Sequence, residues 1–177
     1  LDINVWELIE LANRHPRVNI LSPGAGVGGH CIAVDPWFIV NKTPDLAQMV
    51  GTARRVNDNK PKWVISKIEE QVEKLGDLGR KPKVALLGLA FKPNIDDLRE
   101  SPAVSIAQEI IAKGKYDVVI VEPHVKDLPK KLMGAEKITI SDAKDADIQA
   151  ILVNHTHFSD FKKQDLNNKI LNFVSNN

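Results

Sequence analysis

Apolar positions in the opening stretch, LDINVWELIELANRHP, recur with the period of a helix: Ile3, Trp6, Leu8, Ile9 and Leu11 fall on one side. The spacing predicts a helix over 1–14, with Asp2 as its N-cap, broken before Pro16. Residues 17–40 lose that period. Gly and Pro punctuate them, and they read as a loop region with short extended pieces at VNIL and WFIV. The helical period returns over 44–76, first through Leu46, Met49, Val50, Ala53 and Val56, then through Trp63, Val64, Ile68, Val72 and Leu75. Pro61 lies inside this stretch. It has no N–H and its ring crowds the preceding turn, so the expectation is one kinked helix or two, stopped by Gly76 and Gly79.

After Lys81 the texture changes. VALLGLA (84–90) is a continuous apolar run and reads as a buried strand. SPAVSIAQEIIAKG (101–114) reads as a helix, with Ser101 as N-cap, Pro102 at the first position and Gly114 at the end. YDVVIVEP (116–123), KITI (137–140) and AILVN (150–154) read as strands, FSDFKKQDLNN as helix, and KILNFV (169–174) as a last strand. Strands that alternate with helices build a parallel sheet covered on both faces. The fold class is therefore α/β: a helical segment over 1–80, then a Rossmann-like parallel-sheet domain over 81–177.

Composition narrows the partners. Net charge is +1 and the Lys and Arg residues are dispersed, so neither the total nor any window points to a nucleic acid. No apolar run approaches the ~18 residues of a membrane span, and no signal peptide is visible. One cysteine excludes an intrachain disulfide, and the expected compartment is the cytoplasm. The chain opens without Met, directly on a bare amphipathic helix that needs something to pack against. The expectation is a piece of a longer protein; the alternative is a short protein whose initiator Met was removed.

The candidate chemistry begins at GAGVGGHCIAVDP (24–36). Gly24, Gly26 and Gly29 fit G-x-G-x-x-G, but a dinucleotide fingerprint also needs a strand before it, a helix opening at its third glycine and a later acid. Here Pro23 and Pro36 flank the loop and no helical stripe follows Gly29. Such glycines can instead bring backbone N–H groups close to a phosphate or sugar. Cys31 follows His30 and precedes Asp35 by four residues. It reads either as a reactive thiol, which requires partial exposure and charged neighbours, or as a small buried hydrophobe. A zinc site is not expected, because there is no second Cys and the His residues are scattered. GLAFKPNIDDLRESPA (88–103) leaves the carboxyl end of a strand, where ligands bind in open α/β sheets. Lys92 and Arg99 would face that crevice, and Ser101 opens a helix whose N-terminus favours anions. The alternative is a solvated charged loop of Asp96, Asp97, Arg99 and Glu100. His124, His155 and His157 each follow a strand and could face the same crevice, or lie on the surface.

Three stretches in this order, PGAGVGGHCIAVDPWFI, ARRVNDNKP and GLAFKPNIDDLRESPA, resemble the UDP-glucose/GDP-mannose dehydrogenase family. The resemblance covers essentially the whole chain and corresponds to the second half of such an enzyme. It implies the end of a central helical domain over 1–80 and a C-terminal UDP-sugar-binding domain over 81–177, with the NAD-binding domain upstream. It implies NAD-dependent oxidation of a sugar C6 alcohol to a carboxylate, four electrons in all, through a cysteine-bound thiohemiacetal and thioester. In that scheme Cys31 is the catalytic nucleophile and Asp35 organises water or a nearby Lys. Lys92 contacts the substrate, and Arg99 reaches NAD bound on the other domain. Arg17, with His15, contacts the substrate of a partner subunit, and Gly24, Gly28 and Gly29 surround the sugar. The HCIAVDP form of the loop points to UDP-N-acetyl-D-mannosamine as substrate, with a role in surface polysaccharide synthesis. The alternatives are another UDP-hexose such as UDP-glucose, a non-catalytic UDP-binding or dimerisation module, and a thiol hydrolase that pairs Cys31 with a His. A homodimer through the central helices is implied, with no metal, nucleic acid or membrane partner. The family commonly carries a late substrate-side Arg beyond the last strand, and NFVSNN has none.

Overall fold

The structure is a computed structural model that describes residues 3–162 and 170–174. Its elements are α1 (Val5–Asn13), α2 (Asp35–Lys42), α3 (Gln48–Glu73), β1 (Lys83–Leu87), α4 (Pro102–Ala112), β2 (Asp117–Val121), β3 (Glu136–Lys137), β4 (Ile148–Ile151), α5 (Ser159–Lys162) and β5 (Ile170–Asn172), with short 3-10 turns between some of them. The five strands form one parallel sheet in the order β3-β2-β1-β4-β5.

The apolar run KVALL occupies the centre because a strand with parallel neighbours on both sides and helices on both faces meets no water. Its pleat splits the core. Val84 and Leu86 face α3 and α4, where they meet Ile68, Ile106 and Ile110. Ala85 and Leu87 face the other side and meet Phe158 and Phe161. Gly88 then turns the chain at φ +90°, with room for no side chain: an added Cβ would lie 2.6 Å from Val153 Cβ. The carboxyl ends of β1, β2 and β4 thus deliver residues 88–101, 122–125 and 152–157 to one edge of the sheet.

Several elements differ from the sequence expectations. α3 runs uninterrupted through Pro61 and ends at Glu73. Its C-terminal half buries Val64, Ile65 and Ile68 against the sheet, while Gly51 in its N-terminal half packs on Val40 of α2. Tertiary contacts on both sides of the proline outweigh one missing backbone hydrogen bond. WFIV is helical rather than extended. Asp35 and Pro36 occupy the first positions of α2, where proline's fixed φ starts a helix, and a short apolar run is ambiguous by period alone. VNIL forms no strand; Asn13 accepts the Ile20 N–H at 2.6 Å and donates to its C=O at 3.2 Å, which holds the segment against the end of α1. The N-cap of α1 is Asn4, which accepts from Trp6 and Glu7, and Asp2 lies outside the described residues. Ser101 does precede α4, but its side chain caps nothing. KITI contributes only its first residue to β3, and of FSDFKKQDLNN the described helix covers Ser159–Lys162. No described helix is long and apolar enough to cross a membrane.

Candidate active site

Cys31 is exposed, in a turn that leads into α2. Its carbonyl accepts the N–H of Val34 at 3.1 Å and of Asp35 at 2.8 Å, so the backbone fixes Asp35 one turn beyond the thiol. Asp35 is exposed at the first position of the helix.

The glycine loop ahead of Cys31 is docked, not free. A Cβ on Gly28 would lie 2.2 Å from the Glu100 carbonyl oxygen and 2.7 Å from Pro102 Cδ. Gly29 has φ +95°, and its added Cβ would meet the Phe91 ring at 3.0 Å. Gly24 has nothing within 4 Å. From the other side, Asn57 of α3 accepts the Val27 N–H at 2.8 Å and donates to the Val27 C=O at 3.0 Å. The loop is therefore clamped between α3 and the 91–102 segment. This fit is closed to larger residues at Gly28 and open at Gly24.

The same segment brings Arg99 close. Its Nε lies 2.9 Å from Asp97 Oδ1 and its Nη2 2.6 Å from Oδ2, while the Arg99 backbone N–H also donates to Asp97. Those side-chain bonds, then the backbone one, hold the Asp97 carboxyl down to about 2. The Arg99 guanidinium is raised chiefly by Asp97, and Cys31 lies near enough to add to that field. Lys92 is exposed on the same segment. Gly28 and Gly29 thus meet the segment that carries Lys92 and Arg99, at the carboxyl end of β1, and Cys31 and Asp35 follow them in the chain.

His15 and Arg17 lie elsewhere, exposed beyond α1. The His15 Nδ1 accepts the Arg17 N–H at 3.3 Å, and among the described residues neither bonds to the Cys31 loop. No histidine hydrogen-bonds Cys31 either, so the geometry supplies no Cys–His pair among those residues. Instead His124, His155 and His157 cluster together. Ring centroids are 4.7 Å apart for His124 and His155, and 5.1 Å for His124 and His157.

Two contributors were missed in the sequence. One is Asn57, hidden within ARRVNDNKP, where nothing local shows a partner 30 positions away. The other is Glu122, whose signal was an acid at the very end of a buried strand. It is 1% exposed and accepts the N–H groups of Leu89 and Ala90. Burial pushes its carboxyl up, but hydrogen bonds from His155, Leu89 and His124 together leave it below the usual range. An open groove of about 440 Å³ also runs between the loop, α2, α3 and α4, lined by Val34, Trp37, Arg54, Asn57 and Pro61 among others.

Among the described residues no group of three or more His, Cys, Asp or Glu is placed to hold a metal. The glycine loop does not fit a dinucleotide cradle, because among the described residues no strand precedes it and α2 opens only at Asp35. The bonds of Arg99 to Asp97 use Nε and Nη2 and leave Nη1 outside that pair.

Comparison with known proteins identifies the family. Residues 85–174 match the UDP binding domain of the UDP-glucose/GDP-mannose dehydrogenase family, and residues 1–59 match its central domain. The chain is 57% identical over 162 residues to the UDP-N-acetyl-D-mannosamine dehydrogenase of Campylobacter jejuni, covering 89% of this chain and 39% of that protein. It is 48% identical over 172 residues to the NDP-N-acetyl-D-galactosaminuronic acid dehydrogenase of Ralstonia nicotianae, covering 97% and 40%. Among solved structures, the UDP-N-acetyl-mannosamine dehydrogenase of Staphylococcus aureus superposes with a TM-score of 0.70 at 41% identity, over 89% of this chain and 35% of that one. The chain spans about two fifths of the length of the curated relatives it matches. With two domain models of one family matched in order, the chain belongs to the UDP-glucose/GDP-mannose dehydrogenase family.

Proposed function

We propose that this chain is the substrate-side part of an NAD-dependent UDP-N-acetyl-D-mannosamine 6-dehydrogenase that makes the corresponding uronate for surface polysaccharides in the cytoplasm. The observation that supports the reading is the docking of the glycine loop on residues 91–102, which brings the loop that ends in Cys31 against the segment that carries Lys92 and Arg99. Two stretches about 60 to 70 residues apart in sequence meet at one point, where open α/β sheets bind ligands.

In this reading residues 1–80 end a central helical domain and 81–177 form the UDP-sugar-binding domain. Lys92 contacts the diphosphate sugar, and Gly24, Gly28 and Gly29 border it. The Cys31 thiolate adds to the C6 aldehyde, forming a carbon–sulfur bond and a thiohemiacetal. Loss of a second hydride turns that adduct into a thioester, and water oriented by Asp35 cleaves it to carboxylate and free thiol. When bound, NAD would supply the hydride acceptor, two equivalents for four electrons, and Arg99 would reach it from this chain. His15 and Arg17, which among the described residues bond to nothing in the Cys31 loop, serve the site of a partner subunit. The apolar faces of α1, α2 and α3 expose Leu8, Leu11, Phe38, Ile39, Met49 and Val56, a surface suited to a homodimer.

Calorimetric titration of the chain with UDP-N-acetyl-D-mannosamine, UDP-glucose and UDP tests the reading. Binding that favours the first and weakens in Lys92→Ala supports it. Equal or tighter binding of UDP-glucose shifts the substrate to another hexose. Binding that Lys92→Ala leaves untouched removes Lys92 from the site.

A further inference from the structure

We propose that Glu122 and His155 anchor the two ends of the Lys92 turn, the His155 bond to Asn94 being the one that sets ligand affinity, an inference that rests on the proposed role of Lys92. The turn joins Gly88 to Asn94 and is anchored at both ends to this pair. At its start Glu122 Oε2 accepts the N–H groups of Leu89 at 2.6 Å and Ala90 at 3.2 Å. At its end His155 Nδ1 accepts the N–H of Asn94 at 2.9 Å. The two anchors are joined, because His155 Nε2 lies 3.2 Å from the same Glu122 Oε2. Lys92 and Pro93 sit between them, exposed.

The bonds specify the imidazole. An Nδ1 that accepts an amide N–H carries no proton, so the ring is neutral and its proton is on Nε2, directed at the carboxylate. His155 is fully buried, with the Phe158 ring edge-on at 5.4 Å and His124 on another side. A buried carboxylate must have its lone pairs satisfied, and Glu122 also accepts the His124 N–H at 3.0 Å. Asn94 completes the clamp. It holds φ +60°, a conformation Asn tolerates, and its Oδ1 accepts from the Thr156 N–H at 2.9 Å and hydroxyl at 3.1 Å. The ends of β1, β2 and β4 are thereby locked to one another, and the exposed Lys92 inherits a defined direction from buried groups.

Two substitutions separate the anchors. In His155→Asn the amide oxygen falls where Nδ1 was and still accepts from Asn94. In His155→Gln the amide reaches Glu122 and leaves the Asn94 N–H unpaired. The chain and both variants are compared for affinity toward UDP-N-acetyl-D-mannosamine by calorimetry, for Asn94 amide exchange by NMR, and for melting temperature. The expected result is about tenfold weaker binding and faster Asn94 exchange in His155→Gln, with His155→Asn within about threefold of the parent, the scale of one hydrogen bond. Unchanged affinity and Asn94 protection in His155→Gln would overturn the proposal, as would equal losses in both variants that follow melting temperature alone. If the parent binds no UDP-sugar, the proposed function fails. Asn94 exchange still decides the clamp: protection lost in His155→Gln and kept in His155→Asn supports it, and equal protection overturns it.

Discussion

Replacing Gly28 with alanine is the sharpest test of how the cysteine loop is held. The added Cβ would lie 2.2 Å from the Glu100 carbonyl oxygen and 2.7 Å from Pro102 Cδ. Both belong to rigid parts of the chain, a backbone carbonyl and a proline ring at the start of α4, so neither can rotate aside. Ordinary carbon–oxygen contact requires the loop to retreat by about 1 Å, and overpacking of this kind costs about 1–3 kcal/mol. For a chain of this size each kcal/mol lowers the melting temperature by about 2–4 °C. Gly24→Ala is the internal control, since nothing lies within 4 Å of that position and its φ is not left-handed. It should change stability by no more than about 0.5 kcal/mol. The assay is thermal unfolding of both variants, together with the rate at which Cys31 reacts with a thiol reagent. Cys31 follows three residues after Gly28, so displacing the loop should alter that rate, and a shift of about 1 Å at a catalytic nucleophile can cost about 100-fold in turnover. If Gly28→Ala melts with the parent and its thiol reacts at the same rate, the loop is not docked as described.

Asn57→Ala removes both bonds to Val27, and at about 1 kcal/mol each it should destabilise by about 2 kcal/mol and speed exchange of the Val27 amide, measured by urea unfolding and hydrogen exchange. Arg99→Ala removes the partner that holds Asp97 at about 2, so the Asp97 carboxyl, followed by NMR titration, should move up toward the ordinary carboxylate range. Glu122 sits below its ordinary range in the folded chain, so its contribution to stability is fully present above that range and disappears as pH falls through the lowered value. Urea unfolding between neutral and acid pH should show that loss, and Glu122→Gln should be less stable than the parent at neutral pH yet lose less on acidification.

What was readable in the chain was whatever short-range physics decides. VALL and VVIV are apolar runs that only a sheet covered on both faces can bury, and their alternation with helical stripes dictated a parallel α/β fold. Pro102 and Gly114 bracketed α4 because their backbone limits act locally. WFIV was not settled by the same means: four apolar residues satisfy either period, and the Cys31 turn before them tipped the balance to helix. The motifs around Cys31, Lys92 and Arg99 could be picked out as candidates, but not their relation, which depends on Gly28 meeting Glu100 across a gap of 72 positions. Nor could Glu122 and His155 be paired: His155 stood out as a candidate, but nothing local links it to an acid 33 positions away. Patterning sets which elements form, because a helix or strand buries a face that its own residues define. Which buried donor meets which acceptor is decided only when three strand ends come together, and those meetings place the exposed groups of the candidate site.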